Sequence, residues 1–410
     1  MKSHRIALAF GAAFVFGAQF AYAQTGPVTP AYKIPDKSKP AEKDGPRAIS
    51  LGDGVGLTPY FNLGLGRDSN LFLTQSNAKS SDIVTYNPGL KLDVEMSAAR
   101  FVLGYDLKAG KYSQSSADDY TDYTIFGTAE FVLNSSTGLR FAVDRTQGHD
   151  PRGSTDRGLS ATPDKYRSTG GSGLFAYGAN DARGRIELEA GTVNKRYTNN
   201  RSTTIGSDRD TRNMAGRFFF KIAPKTSLVF EAGQDKIDYV LGSSQQDGKD
   251  TRYLGGITWD ATAATSGTIK VGRIKKDFDV ATRRDFSGSG WEAQVSWKPL
   301  SYSKVDFFTT KSVAESTGQG DFTLSKKYGA SWTHGWDSRL TSILSANRTD
   351  DEFVGSTRND QTTSVGFKVD YKLMRWMTIG GEMNNTKRDS NTTGLDYTKN
   401  LYMLTLGLTL

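Results

Sequence analysis

The sequence predicts an all-β protein, a transmembrane antiparallel β-barrel of about 18 strands, with about 16 possible. Three observations lead to this prediction: strands that alternate apolar with polar residues, connections that alternate between short and long, and a polar composition. Mean hydropathy is −0.51 and 36% of residues are hydrophobic, yet 11% are aromatic, so disorder does not explain the polarity. A barrel does explain it, because each strand would turn one face to lipid and the other to a lumen.

The N-terminus has the pattern of a secretory signal peptide, predicted as residues 1–23. Lys2 and Arg5 precede an apolar run from Ile6, and Ala21-Tyr22-Ala23 precedes Gln24. No run of about 18 apolar residues follows, which excludes helical membrane spans. The chain has no cysteine, so an exported form would be neither a lipoprotein nor held together by disulfides.

Residues 24–52 are predicted to form a short disordered periplasmic arm, and residues 53–410 the barrel. The arm contains five prolines among charged residues from Pro27 to Pro46, a composition that cannot bury a core.

The connections within the barrel region alternate in length, as in outer-membrane barrels, where periplasmic turns are short and outside loops are longer. The longest loop, His149 to Asp164, is short for a loop that folds into a pore. An even strand number would put both termini on the periplasmic side. The predicted short turns lie at Met96–Ala99, Asn134–Gly138, Ala179–Ala182, Pro224–Thr226, Ala261–Ser266, Pro299–Ser301, Trp336–Arg339 and Leu373–Arg375.

The prolines fit this assignment, because a proline inside a sheet removes a donor from the hydrogen-bond ladder. Pro59 and Pro88 fall within predicted strands, near a strand start or a bulge. Four others fall in predicted connections, namely Pro151, Pro163, Pro224 and Pro299.

Aromatic residues near strand ends are predicted to form interfacial girdles. They are Tyr60, Tyr120, Tyr123, Trp297, Trp332, Trp336, Trp376 and Tyr402.

The alternation assigns a mixed set of polar residues to the lumen. Such a lining could let a hydrated chain slide without sticking, or the charges could pair across strands and stiffen the wall. The predicted pore-lining residues are Arg140, Arg185, Arg217, Lys221, Lys270, Lys298, Lys368, Glu130, Glu187, Glu189, Glu292, Tyr60 and Asn62. Further acidic residues assigned inward are Asp144, Glu231, Asp260 and Glu382.

The chain ends in LYMLTLGLTL, with apolar residues at alternate positions from Tyr402 to Leu410. Residues 401–410 resemble the C-terminal signal that bacterial barrel-assembly machinery recognises, although that signal usually ends in Phe or Trp. The apolar face is predicted to contact outer-membrane lipid.

The stretch TPYFNLGLGRDSNLF, residues 58–72, resembles the first strand of the putative beta-barrel porin 2 family, with its match at Arg67-Asp68-Ser69-Asn70-Leu71-Phe72. Elsewhere the likeness is architectural, over residues 50–410. The resemblance implies a role in moving polysaccharide across the outer membrane beside polysaccharide synthesis machinery. From the residues themselves, we expect Asp68 and Asn70 to form an Asx turn that closes the first strand.

No enzyme, cofactor or metal site is predicted. His4 belongs to the signal peptide, and His149 and His334 lie at opposite ends of the barrel, so a histidine-dependent hydrolase would have to use His149 alone. The net charge of +8 is spread over faces and loops without a nucleic-acid motif, so no nucleic-acid partner is expected.

Three functions are compatible with this barrel. The first is a channel that exports an exopolysaccharide across the outer membrane, with the arm contacting periplasmic synthesis machinery. The second is a general or sugar- or anion-selective diffusion porin. The third is a structural or adhesin barrel whose lumen is filled by loops.

Overall fold

The computed structural model of the protein describes residues 31–35, 48–157, 160–262, 264–316 and 318–410. The predicted signal peptide and most of the predicted arm lie outside these residues. Within them, a short strand, β1 (Ile49–Gly52), precedes eighteen long strands. These are β2 Val55–Asp68, β3 Ser81–Glu95, β4 Ala99–Tyr112, β5 Tyr120–Asn134, β6 Thr137–Asp150, β7 Asp164–Tyr177, β8 Gly184–Tyr197, β9 Arg209–Ala223, β10 Thr226–Tyr239, β11 Gly248–Thr262, β12 Thr265–Phe278, β13 Phe286–Leu300, β14 Ser303–Glu315, β15 Phe322–Gly335, β16 Leu340–Val354, β17 Asn359–Met374, β18 Met377–Ser390 and β19 Tyr397–Thr409.

Strands β2 to β19 close on themselves as an antiparallel barrel, which confirms the predicted fold class and strand number. Each strand pairs with its neighbours in sequence, and β19 pairs with β2 to complete the ring. At this seam Leu404 lies opposite Leu65, and Leu408 lies opposite Phe61. Closure pairs the strands around the ring, and most backbone groups of the wall bond one another, although the β13–β14 pairing ends at Trp291 and Lys311, short of the long-loop end.

The two ends of the barrel differ in their connections. Turns of two to six residues join the barrel strands at the short-turn end, and all eight overlap the predicted ones, although the predicted turns at Pro299–Ser301 and Leu373–Arg375 begin two residues early, inside β13 and β17. The long-loop end carries connections of four to thirteen residues, including loop 69–80 and loop 151–163. The first barrel strand, β2, begins at the short-turn end, and the last, β19, ends there, as an even strand number requires.

Side chains alternate between an apolar outer face and a polar lumen face. On adjacent β8 and β9, Leu188 and Met214 are 53% and 67% exposed, whereas Glu187 and Arg217 are 1% and 5% exposed. Because neighbouring strands pair in register, the same face stays outward around the whole ring.

The predicted girdle is partly wrong. Trp297, Trp332 and Tyr402 lie on the outer face, and Trp336 and Trp376 lie in short turns. Tyr60 lies on the lumen face instead, where its hydroxyl donates to Asp106. Tyr120 contacts His149 with ring centroids 4.5 Å apart and ring planes tilted by 31°. A position near a strand end does not decide whether a side chain faces lipid or lumen. That depends on whether the residue is odd or even in the alternation along its strand.

Three prolines of the described residues lie inside the sheet, and Pro59 on β2 pairs with Leu90 in regular register. Pro299 lies within β13, not in the connection predicted for it, near the short-turn end of the strand. Pro88 interrupts the pairing of β3 with β4 without shifting its register, so no bulge forms there. The side-chain amide of Asn87 donates to the carbonyl of Leu107 at 2.6 Å and replaces the donor that proline lacks.

Helical structure among the described residues is limited to the loops: one α-helical turn at Arg201–Thr204 and 3-10 turns at Ser116–Asp118 and Ile205–Ser207. No described helix has the length and apolar character that crossing a membrane would take. Two pieces of the predicted arm have defined positions. β1 forms a hairpin with β2, and Ala31–Pro35 lies inside the short-turn end of the barrel.

Candidate functional site

The lumen wall is the candidate site, and register determines which side chains it presents. All thirteen predicted pore-lining residues occupy lumen-face positions: Arg140, Arg185, Arg217, Lys221, Lys270, Lys298, Lys368, Glu130, Glu187, Glu189, Glu292, Tyr60 and Asn62. That these side chains contact a moving solute remains a prediction.

Glu231 is the centre of a charge belt across β8 to β13. Its carboxylate lies 2.6 Å from Lys270 Nζ, 2.8 Å from Arg252 Nε and 3.3 Å from Arg217 Nε. These three cations come from three different strands, and all of them are held by one carboxylate.

The belt continues on both sides of Glu231. Arg217 also reaches Glu189 at 2.9 Å, and Lys270 also reaches Glu292 at 2.8 Å. The remaining pairs join Arg252 to Asp235 at 3.3 Å, Arg217 to Glu187 at 3.5 Å, and Arg185 to Glu187 at 2.6 Å. The belt therefore comprises Arg185, Glu187, Glu189, Arg217, Glu231, Asp235, Arg252, Lys270 and Glu292.

Charges in the belt are nearly balanced, with four cations against five carboxylates, and those at its centre are desolvated. Arg217 and Lys270 are 5% and 2% exposed, and Glu231 is 5% exposed. Buried ions of opposite sign in contact satisfy one another and leave a weak net field in the lumen. The geometry is thus cross-strand pairing, one of the two roles that the sequence leaves open. Sequence reasoning missed Arg252 and Asp235, although their parity places them on the lumen face.

A second ion cluster lies nearer the long-loop end. Lys276 is fully buried and lies 3.1 Å from Asp250 and 2.5 Å from Glu315. Tyr239 donates to the other oxygen of Glu315 at 2.6 Å. Because Tyr239 lies on β10 and Glu315 on β14, this bond joins strands that are not neighbours through the lumen.

A cavity of about 350 Å³ lies between the charge belt and this cluster. Its lining includes Asn213, Arg217, Arg252 and Thr310, with apolar contributions such as Leu254. The volume lies within the usual range for small-molecule sites. The wall here can therefore accommodate a small polar group.

A polar cluster of amides, a hydroxyl and the carboxylate of Asp106 lines the wall at β2 to β4. The amide of Asn62 donates to Asn87 at 3.3 Å, and Asn87 donates to Asp106 at 3.0 Å. Tyr60 donates to the same Asp106 oxygen at 2.6 Å. Amide, hydroxyl and ring surfaces together are what saccharides bind in water. This amide cluster contains both Tyr60 and Asn62, which the sequence predicts as pore-lining.

Asp68 and Asn70 of the family motif stabilise the end of β2 and the loop that follows it. Asp68 accepts the backbone N–H of Asn70 at 2.9 Å, which is the expected Asx turn, and pairs with Lys399 at 2.6 Å. The Asn70 amide donates to the carbonyls of Thr74 and Thr398 at 2.8 and 3.1 Å. Both motif side chains are 1% exposed, so they close β2 and hold loop 69–80 against β19.

Loop 151–163 reaches across the long-loop end, although its length suggests that it is too short to do so. Asp156 pairs with Arg358, which lies between β16 and β17 on the opposite side of the ring, at 2.6 Å. Arg358 also pairs with Asp360. Burial alone would lower the pKa of Arg358, but these carboxylates raise it above its usual value. The opening at the long-loop end is narrowed because loop 151–163 and the β16–β17 loop meet over it. The length of each loop alone does not predict this contact.

Neighbouring loops hold loop 151–163 in place. The Arg152 guanidinium lies 4.1 Å from the Phe72 ring centroid and pairs with Asp118. Arg157 bridges Asp150 at 3.0 Å and Asp164 at 2.9 Å. These loops therefore form one bonded layer at the long-loop mouth.

The two histidines of the barrel lie at opposite ends. His149 Nδ1 lies 2.9 Å from Asp122 at the long-loop end. His334 lies near the short-turn end between Tyr302, Trp332 and Trp336, with ring centroids 4.5 to 5.3 Å away. Among the described residues, no group of three or more His, Cys, Asp or Glu side chains could hold a metal ion.

A closed eighteen-stranded barrel with an apolar outer face and a polar lumen defines an outer-membrane channel of the porin type. The chain belongs to the family described as "Putative beta-barrel porin 2", whose sequence model matches residues 50–410. Among curated proteins, no sequence matches the chain.

Solved barrels resemble the chain only distantly. OccAB3 of Acinetobacter baumannii is 10% identical, with a TM-score of 0.49 over 88% of this chain and 100% of that one. OpdO of Pseudomonas aeruginosa is 12% identical, with a TM-score of 0.49 over 88% and 98%. OpdQ of Pseudomonas aeruginosa is 12% identical, with a TM-score of 0.48 over 88% and 100%. A likeness of this degree carries no argument about cargo.

Proposed function

We propose that this barrel is a passage for uncharged, hydrated saccharide, and that its cargo is an exopolysaccharide leaving the cell. The observation that supports this proposal most is the charge belt around Glu231, in which four cations and five carboxylates pair with one another. A lumen whose ions bond one another attracts neither anions nor cations strongly, which suits a neutral cargo.

The amide cluster supports the same cargo. Tyr60, Asn62 and Asn87 offer amide, hydroxyl and ring surfaces that could exchange bonds with sugar hydroxyls. Weak contacts at several sites favour conduction, since a solute that binds too tightly cannot leave. The direction of transport is proposed from the resemblance of residues 58–72 to the porin 2 family, which implies export of polysaccharide and not uptake.

A small-sugar diffusion porin is the second candidate and is supported equally. The observation that favours it is the contact of Asp156 with Arg358, because loops that meet over a mouth restrict passage to small solutes. In both cases we propose that the short-turn end and the two termini face the periplasm, that residues 1–23 direct export, and that residues 401–410 are read by the barrel-assembly machinery. Polysaccharide synthesis machinery would meet this periplasmic end.

Two experiments separate the candidates. A strain lacking the gene should retain polymer in the periplasm if the barrel exports polysaccharide, and should secrete it normally if it does not. Liposomes containing the purified barrel should swell in isotonic disaccharide if it is a diffusion porin. Normal secretion together with swelling would replace the export proposal with the diffusion porin.

A further inference from the structure

The lumen wall has an apolar patch close to the short-turn end, where polar residues are expected. Val132, Leu174 and Ala176 occupy lumen-face positions on β5 and β7. Gly138 lies opposite both Val132 and Ala176 in register. In a water-filled passage such a patch would be left exposed to solvent, unless something covers it.

Two side chains of the segment Ala31–Pro35 cover this patch. Tyr32 and Ile34 are 9% and 3% exposed, and they pack against Ala176, which is fully buried. Gly138 leaves the space for them, because a Cβ there would lie 3.0 Å from Tyr32 Cε1 and 3.2 Å from Ile34 Cγ1. Patch and segment are therefore complementary in shape as well as in polarity.

Polar groups of the wall capture the backbone of the segment. The N–H of Tyr32 donates to Glu187 Oε1 at 2.8 Å, and the N–H of Ile34 donates to Asn180 Oδ1 at 3.0 Å. The Asn180 amide returns a bond to the carbonyl of Ile34 at 2.7 Å. Lys33, which lies between the two anchors, pairs with Asp260 on β11.

We propose that the short-turn mouth contains a binding site for an extended peptide with an aromatic residue followed two positions later by an aliphatic one. The chain's own Ala31–Pro35 occupies this mouth pocket as a displaceable gate that narrows the passage. Only two side chains anchor the segment, and the Lys33–Asp260 pair is about 60% exposed and adds little. A released segment stays tethered through residues 36–47, so it can return quickly.

This inference rests on the channel function proposed above, and a cysteine pair tests the two separately. The chain has no native cysteine, so Ile34→Cys with Ala176→Cys can form one disulfide between two side chains that pack in the same cluster, and Gly138 is left unchanged. Ile34→Cys with Thr405→Cys on β19 is the control pair, and it should stay reduced. Cross-linking of the first pair alone would establish docking without reference to conductance.

Single-channel recordings of the same protein then test the gate. We expect low, steady conductance for the oxidised Ile34→Cys/Ala176→Cys protein and higher conductance after reduction. The Tyr32→Ser/Ile34→Ser protein should conduct more than the unmodified chain. The synthetic peptide AYKIP, added at the short-turn side, should lower that conductance, whereas ASKSP should not.

The outcomes are distinguishable. If every variant conducts equally, or if the first pair does not cross-link, the gate is wrong while the channel function stands. If cross-linking occurs but no variant conducts under any condition, the channel function is wrong.

Discussion

The carboxylate of Glu231 lies 2.6 Å from the ammonium nitrogen of Lys270, and both side chains are 3% exposed. A buried pair of this kind is costly to break from one side, because the remaining charge stays buried without its partner. In this wall two further cations, Arg217 and Arg252, share the same carboxylate.

Glu231→Gln should therefore change both selectivity and stability. Three cations would lose their shared carboxylate while each keeps a flanking one, so the lumen should shift toward anions, and unfolding in urea should be easier by up to about 3 kcal/mol, the low end for a buried pair broken from one side. Reversal potentials in a salt gradient measure the first effect. Asp144→Asn is the matched control, since it removes one lumen charge outside the belt. Equal reversal potentials in Glu231→Gln and the unmodified chain would show that the belt does not set the lumen's electrostatic balance.

Asn87→Ala should destabilise the β3–β4 pairing through an unsatisfied carbonyl at Leu107. The expected loss in free energy of unfolding is about 1 to 3 kcal/mol. Asn87→Ala with Pro88→Ala should recover part of it, because the second substitution restores the backbone N–H that Pro88 lacks. Urea unfolding in lipid vesicles gives both values. No recovery in the double variant would mean that Asn87 acts through another contact, such as Asp106.

Asn70→Ala should loosen loop 69–80 without changing any effect of sugar on the channel. The substitution removes the bonds to the carbonyls of Thr74 and Thr398. We expect faster proteolysis within this loop and an unchanged block of conductance by added oligosaccharide. A lost block with an intact loop would assign the motif to sugar binding.

Asp156→Asn and Arg358→Gln should each widen the long-loop mouth and raise conductance. Because both act on one contact, the double variant should add little to either single one. Lys387→Gln serves as control, since its pair with Asp389 is more than half exposed and contributes little. Additive effects would indicate that the two loops move independently.

The strands, turns and lumen face follow from the sequence because they depend on local parity. A strand such as β13 carries Trp291 and Val295 on one face and Glu292 on the other, and a turn must separate it from the next strand. The Asx turn at Asp68 is equally local, since its hydrogen bond spans two residues.

Contacts between distant strands and loops do not follow from local pattern. Parity places Arg252 in the lumen, but only the stagger of the closed ring brings it to Glu231. Asp156 and Arg358 are 202 residues apart and meet because both loops lean inward. Tyr32 and Ile34 lie in a segment whose proline content predicts extended, unattached chain, and their pocket is built from the four strands β5 to β8 and the turn between β7 and β8.

Single-channel recording of the purified protein in planar bilayers tests the central claim, a water-filled passage of nearly balanced charge, most directly. We predict discrete conductance steps, a reversal potential near zero in a potassium chloride gradient, and reversible block by a neutral oligosaccharide. Protein that inserts without conducting, or that conducts with strong preference for one ion, would contradict it.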